Sequence, residues 1–277
     1  MPNNHNIPKT GIRKSMKISW LKWIMLCATC LMFLIGCQTN KGNLTQFDSS
    51  IDLSNDQDQV ILLHGMYRSA VAMQPLEQYF RTHGYQVTSI SYPSTKHDIE
   101  TLVRDYLHPA VQIAQTKGMQ KIHFVTHSMG GILVRYYLKN YPLEDLGKVV
   151  MIAPPNQGTE LAELFADSSW VDTKTGPAKI QLSAQQDSWV NQLGPVNFAV
   201  GIIAGNHNSN LLTAWLLPGE DDGVVSVEST KVKNMKDFMI VPEKHFRLRG
   251  NQMVLEQAAY FLKYASFYRS VSADLGT

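Results

Sequence analysis

The sequence predicts an α/β fold, a mainly parallel central sheet with helices on both faces, and three observations carry that prediction. Val60–Leu63 is a continuous apolar run without polar alternation, the pattern of a strand buried on both faces. From there to the C-terminus, short β-rich apolar runs alternate with segments of helical spacing, which is the order of a parallel sheet and its crossovers. The alternation closes on "VLEQAAYFLKYASF", an amphipathic helical pattern.

Each element has its own signal. After "VILLHG", apolar positions Ala72, Leu76, Tyr79 and Phe80 repeat at helical spacing until Gly84 stops them. "YQVTSISY" is the next strand, broken by Pro93, and Ile99, Leu102, Val103, Tyr106 and Leu107 mark a helix. "KIHFVTH" and "MGGILVRYYLKN" follow as strand and helix, and "KVVMIA", "NFAVGIIA" and "DFMIVP" supply three further strands. The interval 159–196 breaks the rhythm, with Trp170 and Trp189 and the breakers Gly176-Pro177 and Gly194-Pro195. It is expected to form a small cap above the sheet, as a lid or as a fixed wall.

The N-terminal stretch stands apart from this pattern. Lys9, Arg13, Lys14, Lys17 and Lys22 precede an apolar run from Trp23 that falls short of the roughly 20 residues needed to span a bilayer. Basic flank, short apolar core and small residues together are the pattern of a secretory signal, complete even if translation starts at Met16. The run ends in Leu34-Ile35-Gly36-Cys37, which resembles the bacterial lipoprotein lipobox. The resemblance implies residues 1–36 as signal peptide and a diacylglycerol-bearing Cys37, hence a membrane-anchored envelope protein; an uncleaved signal anchor is the alternative. Gln38 after the lipidated cysteine implies passage to the outer membrane, facing the periplasm, in a Gram-negative cell. Residues 37–59 are dominated by Gln, Asn, Ser, Asp and Lys and are expected to be a flexible tether, leaving 60–277 as the folded domain.

Removal of the signal changes what the composition implies. Residues 1–36 hold five Lys or Arg and no Asp or Glu, so the formal net charge goes from +2 to −3. No nucleic-acid footprint remains. Cys27 and Cys30 leave with the signal and Cys37 is acylated, so no thiol is left for a disulfide, a cysteine-based metal site or thiol catalysis.

The chemistry centres on "HFVTHSMGG", residues 123–131, which sets Ser128 where a buried strand ends and a glycine-bearing helix begins. A sharp turn there requires small flanking residues, met by Gly130; Thr126 stands where a G-x-S-x-G motif has its first glycine. With "LLHGM" upstream and "APPNQGT", "GEDDGVV" and "EKHFRL" downstream, in that order, the chain from about 58 to 268 resembles the α/β-hydrolase superfamily, and most closely its bacterial lipase and esterase branch. The resemblance implies Ser128 as nucleophile, then an acid, then a histidine base. His207 precedes the acidic loop and is excluded as base by that order, leaving His245. Among Glu220, Asp221 and Asp222, the acid is expected to be Asp222, because Gly223 permits a tight turn and D-G-V-V resembles the family's acid motif, with Asp221 as the alternative; a solvated turn or a calcium loop would show the same letters.

An oxyanion needs two fixed N–H donors, and the resemblance assigns them to the backbones of Met66 and Met129. His64 is expected to brace the loop after the first strand, and His127 to be filler beside the serine. The implied activity is hydrolysis of a carboxylic ester, lipid-like in view of the anchor and of Trp170, Trp189 and Trp215, which are equally explained as core. It needs no metal or other cofactor, since a triad and oxyanion donors suffice. A thioesterase, an acyltransferase or a silent envelope-bound binding module would share these letters.

Overall fold

Why the apolar runs are continuous is plain in the computed structural model, which describes residues 47–162 and 176–270. Strand β1 (Gln59–Leu63) is buried throughout, and its side chains alternate between two cores: Ile61 and Leu63 enter one, Val60 and Leu62 the other. Both faces of the sheet are covered, so neither set of residues can be polar. The other strands are β2 (Gln86–Ile90), β3 (Ile122–His127), β4 (Leu146–Ile152), β5 (Val200–Gly205) and β6 (Asp237–Val241). All five neighbouring pairs are parallel, in the order β2-β1-β3-β4-β5-β6. The chain steps outward from β1 to β2, returns to β3 on the other side, and then proceeds in one direction. The reversal lies between the C-terminal ends of β1 and β3, the place where an open parallel sheet leaves a crevice.

Helix α1 (Gln74–Thr82), opened by Pro75 in its first turn, packs Leu76 and Phe80 on one face of the sheet. The other face takes α2 (Ile99–Leu102) and α3 (His108–Gln115) through Leu102 and Val111, with Leu107 between them, and α4 (Met129–Asn140) through Ile132, Leu133 and Tyr137. Shorter helices α5 (Pro177–Gln181), α6 (Leu211–Leu216) and α7 (Val227–Thr230) lie in the connections. The closing helix α8 (Gln252–Tyr264) shares the α1 face through Val254, Ala258 and Phe261, and the Asn251 side chain caps it by accepting from the Met253 and Val254 N–H groups.

Two segments differ from the sequence expectation. The helix read over 99–107 continues to Gln115 through a π-turn at Val103–Leu107. Pro109 explains it: proline has no N–H for the carbonyl of Asp105 and its ring crowds that carbonyl, so the helix widens before it. The second lies at 47–58, within the stretch whose composition predicts a tether. These residues lie on the domain: Leu53 is buried, Phe47 packs its ring on Tyr260 and Tyr268, and the Asn55 N–H donates to the His83 carbonyl at 2.8 Å. One buried and two partly buried apolar side chains, Leu53 with Phe47 and Ile51, suffice for that in a polar run, and mean composition hides them. The signal segment, Cys37 and Trp170 lie outside the described residues.

The described parts of the 159–196 interval are a 3₁₀ turn at Glu160–Ala162, α5 and a 3₁₀ turn at Asn191–Leu193. Residues 181–194 are tied to the helices beneath. The Ile99 N–H donates to Gln181 Oε1 at 2.7 Å, Trp189 Nε1 donates to Glu100 Oε1 at 2.7 Å, and the buried Arg135 donates to the carbonyls of Asn156 and Gly194, each at 2.7 Å. Burial lowers the Arg135 pKa only to about 10, so it stays charged at neutral pH.

Candidate active site

Ser128 caps α4 in a backbone conformation that side chains rarely adopt, φ 55° and ψ −128°. Two constraints hold it there. Its N–H donates to the Ile152 carbonyl at the end of β4 at 2.8 Å, and α4 starts so close under β1 that no side chain fits at position 130. A Cβ on Gly130 would lie 2.7 Å from the Leu63 carbonyl oxygen and 2.9 Å from that of His64. The same crowding acts from the opposite loop, where a Cβ on Gly65 would lie 2.8 Å from the Ser128 Cβ. Thr126 is fully buried within β3, so a small side chain takes the place of the motif's first glycine.

The acid loop and the histidine loop are joined side by side. His245 Nδ1 donates to Asp222 Oδ2 at 2.7 Å, and the His245 N–H donates to the Asp222 carbonyl at 3.0 Å. The other Asp222 oxygen accepts the N–H groups of Val224 at 3.0 Å and Val225 at 2.9 Å, in a turn that Gly223 permits with φ 94°. Both side chains are buried. The three adjacent carboxylates face different partners. Asp221 accepts from Gly223 N at 2.7 Å and from Asn208, and Glu220 accepts from Asn206 Nδ2 at 3.1 Å. Burial, with a contribution from the Asp222 charge, holds the Asp221 pKa above its usual value. The hydrogen bond to His245 is therefore made by Asp222, and Asp221 serves its own loop.

His127 has a role that its sequence position did not signal. Its ring is buried, and Nε2 donates to the His245 carbonyl at 2.9 Å, which fixes the proton on that nitrogen and leaves the buried Nδ1 bare. Burial first, and the neighbouring His245 second, push its pKa well below the usual value. His127 is thus a neutral brace that fastens the histidine loop to the end of β3. A histidine beside the serine carries no periodic signal, and only the fold reveals its partner.

His64 braces the loop after β1 as the sequence suggested: Nδ1 bonds the Gly65 carbonyl at 2.7 Å, the ring stacks on Tyr92 at 4.0 Å, and the Tyr92 hydroxyl donates to the His64 carbonyl. The next turn puts Tyr67 at φ 59°, a costly conformation for an aromatic residue, with its N–H donating to Ser94 Oγ at 3.1 Å. This is the loop that carries Met66. The Met129 N–H is the first of α4 and has no carbonyl four residues back within the helix.

Ser128 and His245 border one cavity of about 230 Å³, whose walls include Met66, Met129, Leu161 and Leu182. Leu161 and Leu182 come from the irregular interval, so the described part of that interval forms a wall of the pocket. Lys179 on α5 also borders it, nearly buried, with its pKa lowered by burial. The tryptophans contribute less than their apolar bulk suggests. Trp189 packs on Tyr136 outside the cavity, and Trp215 is 82% exposed on α6 beside the equally uncovered Leu211. His207 is exposed and outside the cavity.

Parallel sheet, switch point and strand-to-helix turn define an α/β hydrolase fold, and comparison with known proteins agrees. The sequence pattern described as the alpha/beta hydrolase fold matches residues 58–183. The chain has the α/β-hydrolase fold. Similar solved structures include the mature lipase BlEst2 of Bacillus licheniformis, with TM-score 0.58 and 19% identity over 76% of this chain and 93% of that one. Phospholipase PlaB of Legionella pneumophila has TM-score 0.60 and 16% identity over 76% of this chain, which spans only 60% of that one. A metagenomic carboxyl esterase has TM-score 0.55 and 16% identity, covering 76% of this chain and 71% of that one. At these identities the likeness is one of fold. No curated protein matches the chain in sequence.

Proposed function

We propose that this protein is a serine hydrolase of carboxylic esters with a lipid-like acyl part. The observation that carries the reading is the buried Asp222–His245 pair beside a cavity that Ser128 also borders, bonded through Nδ1 so that Nε2 is left to act on a proton. Ser128 Oγ attacks the ester carbonyl while His245 Nε2 takes its proton, and Asp222 stabilises the imidazolium that forms. The N–H groups of Met66 and Met129 receive the negative charge of the tetrahedral oxygen; one such donor is worth about 2.7–4 kcal/mol in the transition state. Collapse expels the alcohol with the proton from His245 and leaves an acyl-enzyme. Water, deprotonated by His245, then releases the acid and restores Ser128. The apolar walls favour an acyl chain, and the names of the similar structures, a lipase, a phospholipase and a carboxyl esterase, support the same substrate class.

The test is labelling with a fluorophosphonate probe, followed by a panel of esters and thioesters of graded acyl length. Labelling at Ser128 that is lost in Ser128→Ala, with esters preferred, is the expected result. An unlabelled folded protein would point to a binding module, and a thioester preference to a thioesterase.

For the N-terminus we propose cleavage before Cys37, acylation of its thiol and anchoring in the cell envelope, supported by the lipobox-like Leu34–Cys37. Cys37→Ser is expected to abolish incorporation of labelled fatty acid and to release the domain from membranes; a variant still membrane-bound would indicate a signal anchor.

A further inference from the structure

The cavity that holds Ser128 and His245 has a neighbour. Phe246 borders both it and a second groove of about 340 Å³, which Arg247, Arg249 and Glu243 also line. The Arg68 guanidinium lies over the Phe246 ring, 4.7 Å from its centre. Phe246 is therefore a partition, with an apolar ester pocket on one side and arginines around the other.

These arginines are unusual in having nothing to hold. Among the described residues neither Arg68 nor Arg249 makes an ion pair, and Nη1 of Arg249 is buried without a hydrogen-bond partner. Burial, and after it the charge of Arg68, depress the Arg249 pKa, so the two guanidinium groups stand close enough to repel. The carboxylate in the groove does not relieve them, since Glu243 accepts the Lys244 N–H at 2.9 Å and pairs with no described arginine. Two unneutralised forks, one of them partly desolvated, are a complement for a multiply charged oxyanion. A phosphate monoester carries about −1.5 to −2 charge and three acceptor oxygens near neutral pH, enough for both, where a carboxylate has one charge and two oxygens.

We infer that Arg68 and Arg249 form a phosphate subsite beside the ester pocket, so that the favoured substrate is an acyl ester whose alcohol part carries a phosphate, as in an acylglycerol phosphate. The inference deepens the ester-hydrolase reading and rests on it for the word substrate; the subsite itself rests on the arginines. A molecule with its carbonyl at Ser128 would pass its head group around Phe246 into the groove.

The test uses a matched pair that differs only in the phosphate, 1-hexanoyl-glycerol 3-phosphate and 1-hexanoyl-glycerol, both short enough to remain monomeric. Binding is measured by calorimetry on Ser128→Ala protein, and turnover on the unaltered enzyme. The phosphate-bearing ester is expected to bind at least tenfold more tightly and to have a kcat/KM at least tenfold higher, mainly through KM. Arg68→Gln and Arg249→Gln are each expected to bring both ratios toward one, and Arg249→Lys to restore part of them. Arg68 is exposed, so its variant tests the subsite even if Arg249→Gln does not fold. Ratios near one in the unaltered protein, or ratios unmoved by either variant, overturn the inference. Inorganic phosphate binding as tightly as the acylated compound also overturns it, because the occupant is then a free anion. Arginine-dependent binding without turnover of either ester upholds the subsite and removes the hydrolase reading instead.

Discussion

The two halves of the candidate site are held by different forces. On the Ser128 side, position is set by exclusion: strand β3 ends under β1, the helix begins at once, and atoms of Leu63, His64 and Ser128 leave no volume for a side chain at 130 or 65. On the Asp222–His245 side, position is set by attraction, through a chain of donors from Val224 and Val225 to the carboxylate and from the carboxylate to the ring. Close packing is indifferent to pH and salt but intolerant of one added carbon. A hydrogen-bonded pair tolerates small shifts but depends on which atoms carry protons.

Substitutions can break each half in its own way. Under the proposed chemistry Ser128→Ala removes the nucleophile without disturbing either support, and kcat is expected to fall by about 10⁶-fold with an unchanged thermal transition. Asp222→Asn keeps the shape of the attracted half but supplies an amide where the ring needs an acceptor, and a loss of about 10⁴-fold in kcat is expected. Asp221→Asn is the control, expected to stay near the unaltered rate; a severe loss there alone would move the acid to Asp221. Gly130→Ala attacks the excluded half. Its Cβ would meet backbone oxygens that cannot step aside, so destabilisation near the upper end of the about 1–3 kcal/mol typical of overpacking is expected, read as a lowered denaturation midpoint.

The smallest effect is one of pH. Burial depresses the pKa of both His64 and His127 in the folded state below the ordinary 6.5. The unfolded chain then binds more protons than the folded one once pH falls through 6.5, so the stability these rings contribute is full above that pH and is lost progressively below it. The melting temperature should decline from pH 7 to pH 5, and His127→Gln should flatten that decline. A flat profile in the unaltered protein would contradict the buried neutral state of both rings.

Much of this was legible in the letters, for a physical reason. A strand buried on both faces is mostly apolar, so the apolar runs of β1, β3 and β5 announce themselves even though β1 begins at a buried Gln59 and β3 also holds buried His123, Thr126 and His127, and a turn with no room for a Cβ must show its glycine. The choice of Asp222 over Asp221 rested on the turn that Gly223 permits and on likeness to D-G-V-V, and the hydrogen bond to His245 falls on Asp222. What stayed hidden depends on distant partners. The His127 brace joins residues 118 positions apart, and the arginines beside Phe246 come from the loop after β1 and the turn before α8. The π-turn follows from Pro109, but local periodicity does not report the width of a helix. Trp215 shows the opposite failure, since an aromatic residue expected in core or pocket stands in the open.

The bond from His127 to the His245 carbonyl crosses between the two halves, and it carries a consequence for descent. A lineage that exchanges the ring at 127 for a residue without a comparable donor frees the loop of its partner half, and can keep function only by recruiting another donor to that carbonyl. Positions 127 and 244–246 should accordingly change together or not at all as such sequences diverge, although the two segments lie 118 positions apart in sequence.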